Sequence, residues 1–346
     1  MPYSLFVLGN PLLDIQAVVP ESFLAKYNIK ANDAILAEKE HLGIFNDLID
    51  NYNAISLAGG AAQNTARGAQ YVLPPNSVVY TGAVGDDKFA QLLRDANEKE
   101  GVRSVYQVEK DVPTGKCAVS IVGTNRSLVT DLAAANHFKV DHLRKPEVWQ
   151  LVEQAGFYYV GGYHLTVSVP AILELGQHAS ETNKLFSINL SAPFLAQFFK
   201  SQLDSVLPYV DVLIGNESEA AAFAESHGIE STDVAEIASR IALLPKQNGK
   251  RPRQVVITQG SLATIIVTAN ESGTATSVKE YAIRQIADED LVDTNGAGDS
   301  FAGGFIGALV SGKTVDEAVE YGHWLASYTV RLSGPAYPYP KKEFPQ

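Results

Sequence analysis

The chain has 346 residues, 46% apolar and 19% charged, with 27 Lys and Arg against 39 Asp and Glu, a formal charge of −12. That composition supplies a full core, excluding disorder, collagen and coiled coil, and its sign excludes a broad nucleic-acid or anionic-membrane surface, which needs clustered cations. A single cysteine, Cys117, excludes an internal disulfide and points to a reducing compartment, the cytoplasm with or without the nucleus.

No Lys or Arg precedes Lys26, so no secretory signal is expected, and no apolar run reaches the roughly 18 residues of a membrane span. Short apolar runs at 4–8, 77–80, 157–160, 185–188, 210–214 and 255–258 alternate with helical patterns such as 88–99, where Phe89, Leu92, Leu93 and Ala96 share a face. The spacing predicts a three-layer α/β/α fold whose mostly parallel sheet is covered on both sides. Two stretches break the rhythm: 15–57 and 104–136 carry alternating runs such as 117–122, with turn signals at 113–115 and 123–125. They read as a small discontinuous α/β lid inserted into a large core of 1–14, 58–103 and 137–346; an antiparallel extension of the main sheet fits the same pattern. The tail after Gly334, rich in Pro and Lys, reads as loosely structured.

Near the far end of the chain, DTNGAGDSFAGGF at 293–305 places Gly296 and Gly298 around Ala297, just ahead of a helical pattern beginning at Asp299. Backbone N–H groups converging at a helix N-terminus hold an anion without a cationic side chain, and glycine lets a phosphoryl group approach. Asp299 stands where a carboxylate can take the proton of an attacking hydroxyl. It reads equally as a helix cap, with the glycines serving packing. GALVSGKT at 307–314 fits the phosphate-loop pattern letter for letter, but it continues a helical run instead of following a strand. Gly312 therefore reads as a helix terminator, and Thr314 with Glu317 as a capping box. Phe301 stands where a dinucleotide fingerprint needs Gly or Ala, which argues against NAD.

The 293–305 segment resembles the C-terminal signature of the ribokinase-like (PfkB) carbohydrate kinases, and GGAAQN at 59–64 resembles their N-terminal glycine pair. GNPLLDI at 9–15, NRSL at 125–128, LAAAN at 132–136, NLSAPF at 189–194 and GNESEA at 215–220 are similar, in order, to members of that family that phosphorylate adenosine. The resemblance implies transfer of the ATP γ-phosphoryl to the 5′-hydroxyl of adenosine, on a monomeric enzyme. Another nucleoside or a sugar such as ribose as acceptor, or a catalytically silent nucleoside binder, are the other readings.

By position, the resemblance makes Asp299 the base, Gly296, Ala297 and Gly298 the anion hole, and Arg126 a lid cation reaching the transferring phosphoryl. Asn10, Asp14, Gly59, Gly60 and Asn64 would meet the ribose, Asp14 accepting from two hydroxyls; from the residues alone, Asn10 and Asp14 also read as a turn, and the glycines as a helix start. Leu36, Leu132, Ala133, Tyr163, His164 and Phe194 would surround the base. Ala34, Ala61 and His164 depart from the glutamine, serine and second aromatic of mammalian relatives, which bears on base selectivity. Asn189, Asn216, Thr258, Gly260, Asn295 and His323 would lie near ATP, Glu219 would organise Mg²⁺ through water, and Asp293 with the Ser333 region would hold a monovalent cation such as K⁺.

Overall fold

The apolar runs pair side by side in the computed structural model, which describes residues 3–123, 125–332 and 334–345. Leu5–Leu8, Val78–Thr81, Phe157–Val160, Leu185–Asn189, Val212–Asn216 and Gln254–Gln259 are parallel strands of one nine-stranded sheet. LFVL and VVYT are buried at every position because helices cover both faces. Ala61–Val72, Lys88–Glu100, Ala297–Val310 and Val315–Thr329 bury their apolar sides against one face, and Val169–Thr182, Glu217–Ser226 and Val234–Ala242 against the other. An antiparallel pair, Leu262–Ala269 and Thr276–Tyr281, finishes one edge. The second of these, TSVKEY, is mostly exposed, so it lacks the apolar run that marks the others.

A separate five-stranded sheet has the order Ala34–Leu36, Asn125–Asp131, Lys116–Val122, Leu12–Val18 and Ile55–Gly59. Period-two alternation gives it two different faces. Leu13, Ile15, Ala17 and Ala118 pack against Phe23 and Leu24 of the helix Glu21–Lys26 and against Ile44, Phe45 and Leu48 of Ile44–Asn51. Leu12, Cys117, Val119 and Ile121 point the other way. The chain's first pass through this sheet runs from Leu12 to Gly59, so Asp14 and Gly59 belong to its strands and not to the main body. Gln107–Glu109 pairs instead with Ala83–Gly85 in a two-stranded ribbon.

The helix Ala297–Val310 is followed by Gly312 at φ +83°, and Thr314 caps Val315–Thr329 reciprocally with Glu317, so the phosphate-loop pattern is a helix–turn–helix. The tail, read as loose, is held: Tyr337 is buried, Tyr71 donates to the Pro338 carbonyl at 2.9 Å, and Phe344 stacks on Tyr321 at 4.0 Å. Tyrosines on two helices supply the surface that Pro-rich chain covers well.

Candidate active site

In sheets of this kind ligands bind beyond the C-terminal ends of the strands, where the order reverses. Here the chain starts in mid-sheet and crosses to Val78–Thr81 on one side and Phe157–Val160 on the other, so the reversal lies beside Leu5–Leu8. A cavity opens at that point between the two sheets. One row across the smaller sheet lines it: Leu36 pairs in register with Thr130, Thr130 with Cys117, and Cys117 with Asp14. Facing this row are residues from the strand ends and turns of the large sheet, including Asn10, Tyr163, Asn189, Asn216 and Thr258.

Asn10 follows the first strand directly. Its amide nitrogen donates to the Tyr163 carbonyl at 3.3 Å and its oxygen lies 2.7 Å from His164 Nδ1. Tyr163 and Phe194 approach with ring centroids 6.1 Å apart at 42°, forming an aromatic wall with Leu36 and Leu132 opposite. Gly60, at φ +91°, turns the chain into the helix Ala61–Val72. A Cβ on Gly59 would sit 2.1 Å from the Asp14 carboxylate, so glycine there is what admits the acid.

Three carboxylates share the cavity. Burial pushes Asp14 up to about 7, with the negative charge of Asp299 adding to the rise and Arg67 pulling it down. Burial likewise raises Glu219 to about 7 and Asp299 to about 6, the latter restrained by the Asn64 hydrogen bond and by Arg67. Asn64 Nδ2 donates to Asp299 Oδ2 at 2.9 Å. Asp299 lies in the first turn of Ala297–Val310, whose N-cap Gly296 has φ +75°, and an added Cβ on Gly298 would meet open space. The Gly298 and Asp299 amides have no acceptor within the helix. The Ala297 amide, expected in the anion hole, turns back to the Thr294 carbonyl at 3.2 Å.

Glu219 and Asn216 form a capping box at the start of Glu217–Ser226, the carboxylate accepting from the Asn216 backbone and side-chain amides, both at 3.0 Å. A buried carboxylate that meets only neutral donors suits a hydrated hard cation nearby. No cluster of three or more His, Cys, Asp or Glu able to cage a metal exists among the described residues, so such an ion would share its shell with phosphate oxygens.

Most of the expected residues therefore line one cavity: Asn10, Asp14, Leu36, Gly60, Asn64, Leu132, Tyr163 and Phe194 with Asn189, Asn216, Glu219, Thr258, Asn295, Gly296, Gly298 and Asp299. Ala34 and Ala61 line it too. Gly59 and Ala133 adjoin it without lining it. Others stand elsewhere. His164 is fully buried behind Asn10, packed edge-on against Phe138, and is no part of the aromatic wall; burial lowers it to about 3, so it is neutral. Gly260 is exposed at φ +56°, and His323 pairs with Thr264 Oγ1 at 2.8 Å against Phe301, away from the cavity. Arg126 points at Asp293, Nε to Oδ1 at 2.8 Å, instead of into the cavity. Asp293 also accepts from the Asn295 amide at 2.8 Å and the Gly334 amide at 3.0 Å. In this structure, then, the oxygens of Asp293, expected to hold a monovalent cation, are occupied by a guanidinium and two amides; Ser333 lies outside the described residues.

Arg67, Cys117 and Thr130 went unread in the sequence. Arg67 is three residues after Asn64 on one helix, a spacing that was the only available signal; Cys117 and Thr130 enter through strand register alone.

The pattern described as pfkB family carbohydrate kinase matches residues 21–342. A Schizosaccharomyces pombe protein named adenosine kinase is 52% identical over 345 residues, 99% of this chain and 98% of its own. Its namesake from Saccharomyces cerevisiae is 48% identical over 344 residues, 98% of each. Among solved structures, Anopheles gambiae adenosine kinase in complex with P1,P4-di(adenosine-5) tetraphosphate superposes with a TM-score of 0.93 at 44% identity, covering 96% of this chain and 97% of that one. Schistosoma mansoni adenosine kinase with 2-fluoroadenosine superposes with 0.91 at 35%, again over 96% and 97%.

Proposed function

The chain belongs to the pfkB family of carbohydrate kinases, and from its likeness over nearly its whole length to adenosine kinases we infer an adenosine kinase, an ATP-dependent phosphotransferase that acts on an alcohol group. The γ-phosphoryl of ATP passes to the 5′-hydroxyl of adenosine, giving AMP and ADP, a salvage reaction for purines. The observation that carries this reading is a carboxylate, Asp299, set in the first turn of a glycine-flanked helix that opens on the same cavity as Asp14.

Asp14 accepts from the vicinal ribose hydroxyls, and Asn10 and Asn64 offer donors beside it. The base lies between the Tyr163 and Phe194 rings and the apolar row of Leu36 and Leu132. Asp299 takes the 5′-hydroxyl proton as that oxygen bonds to the γ-phosphorus and the bond to the departing ADP oxygen breaks. The helix N-terminus and the Gly298 and Asp299 amides face the charge that develops on the transferring group. ATP works with a divalent ion, which we take to be Mg²⁺; when bound it neutralises phosphate charge, and Asn216 and Glu219 would hold it through water. The smaller sheet acts as a lid that keeps water from the phosphoryl group, and Arg126 leaves Asp293 for the phosphates as nucleotide arrives. Since all the residues invoked come from one chain, a monomer suffices. Among the described residues no helix is long and apolar enough to cross a membrane; the lone buried thiol of Cys117 suits the reducing cytoplasm or nucleus.

The experiment is adenosine-dependent ADP formation from Mg·ATP, run against inosine, guanosine, ribose and fructose. Preference for adenosine is expected. A preferred sugar or other nucleoside would replace the acceptor assignment.

A further inference from the structure

The proposed base has to be ionised in a cavity that holds three carboxylates and, among the described residues, no Lys, Arg or His in its lining. The missing positive charge stands one residue back. Arg67, 5% exposed, donates from Nη2 to Asn64 Oδ1 at 3.0 Å, and the same nitrogen donates to the Pro335 carbonyl at 2.9 Å. Asn64 passes the contact on through its amide nitrogen to Asp299 Oδ2. We propose that Arg67 is a positioning residue for phosphoryl transfer, which orients the Asn64 amide toward Asp299 and keeps that carboxylate ionised without touching it. The inference rests on Asp299 being the base.

Two physical points favour this arrangement. An amide has two distinguishable ends, and a guanidinium that can only donate fixes the Asn64 oxygen toward itself, leaving the NH₂ for the carboxylate. A guanidinium bonded directly to Asp299 would hold the acid so low that it became a poor base, whereas one interposed side chain weakens the field and leaves basicity. A purely structural strut would need no charge. Arg67 Nε finds no acceptor among the described residues, so the side chain is not placed to use all its donors. Glu100, 3.8 Å from Nη1, offsets part of the charge from outside the cavity.

The groups that face Asp299 come from several elements. Arg67 is the cation; Asp14 from the smaller sheet and Glu219 from Glu217–Ser226 are acids that oppose its ionisation. Tyr159, Tyr163 and Tyr337 are kept neutral by burial. Burial apart, the Asn64 hydrogen bond does most to favour the ionised Asp299 and the Arg67 charge comes next, and Arg67 governs both because it also holds the Asn64 oxygen.

The test is the pH profile of kcat at saturating adenosine and Mg·ATP, where ribose covers Asp14. Arg67→Met is expected to move the acid limb up by about one pH unit, with a smaller change in the adenosine KM. Arg67→Lys, which keeps the charge, should return most of that shift. Glu100→Gln, distant from substrate, should move the limb the opposite way by a few tenths of a unit, and it keeps the proposal testable if Arg67→Met fails to fold. An unmoved limb in Arg67→Met or in Glu100→Gln overturns the proposal, and so does a change confined to KM. Asp299→Asn separates the two ideas: an acid limb that persists there with turnover intact refutes Asp299 as the base, whereas turnover lost in Asp299→Asn with an unmoved limb in Arg67→Met refutes only the role of Arg67.

Discussion

At the scale of single residues, the proposed chemistry hangs on the contrast between two side chains that differ in how visible they were. Asp299 stands out in the sequence because its glycine neighbours and the helical run that follows imply an exposed helix N-terminus. Asp299→Asn is expected to lower turnover by at least about 10²-fold while adenosine binding, followed by fluorescence or calorimetry, survives. His164 was misread as a wall of the base pocket. Its number in the chain says only that it follows Tyr163; the tight turn Gly162–Thr166 sends the two rings to opposite sides, one to the cavity and one behind Asn10. There a neutral imidazole donating from Nδ1 fixes which end of Asn10 faces the sugar. His164→Phe leaves the Asn10 oxygen without that donor, and the adenosine KM is expected to rise roughly tenfold, the equivalent of one lost buried hydrogen bond. In steady-state kinetics kcat should change by less than about twofold, since the contact is remote from the phosphoryl group.

Among the elements, the parallel strands were legible because burial on both faces leaves unbroken apolar runs, and the smaller sheet was legible only as two interruptions. Which of its strands neighbour one another was not. Leu12–Val18 pairs with Lys116–Val122 across about a hundred residues of chain, and no local pattern encodes that register. The register is nevertheless what brings Asp14, Cys117, Thr130 and Leu36 into one row. The same sheet carries Arg126, whose pairing with Asp293 ties it to the segment leading into the Ala297–Val310 helix. If nucleotide phosphates draw Arg126 away from Asp293, its positive charge acts mainly on the transferring group. Arg126→Ala is then expected to lower kcat by about 10²-fold with less than about a threefold rise in the adenosine KM. Equal losses in both would assign it to substrate binding instead.

Over the whole molecule, the charge of −12 first suggests avoidance of phosphates, and the cavity shows where that inference stops: donors from backbone and amide side chains serve a single nucleotide where lysines would serve a polymer. Clustering three acids in one cavity has a thermodynamic cost in the empty protein. Asp14 is raised to about 7 in the folded state, against roughly 3.9 unfolded. Between those values the folded chain binds more protons, so this group's contribution to stability falls as pH rises and the penalty is complete above about pH 7. Asp14→Asn removes it. Calorimetry should find the variant more stable than the parent at pH 8 and the difference vanishing toward pH 4, although adenosine binding is lost.

The cavity walls also have separate origins. One row across the smaller sheet faces the acceptor side together with Asn10, Asn64, Tyr163 and Phe194 of the large body, while a helix N-terminus and strand ends of that body face the transfer side. Substitutions at 34, 36, 117 or 130 can therefore change the acceptor without disturbing the transfer machinery. In evolutionary terms the transfer machinery can stay constant beneath a reading surface of which one half is exchangeable, and acceptor preference can be retuned by altering side chains on one face of one sheet.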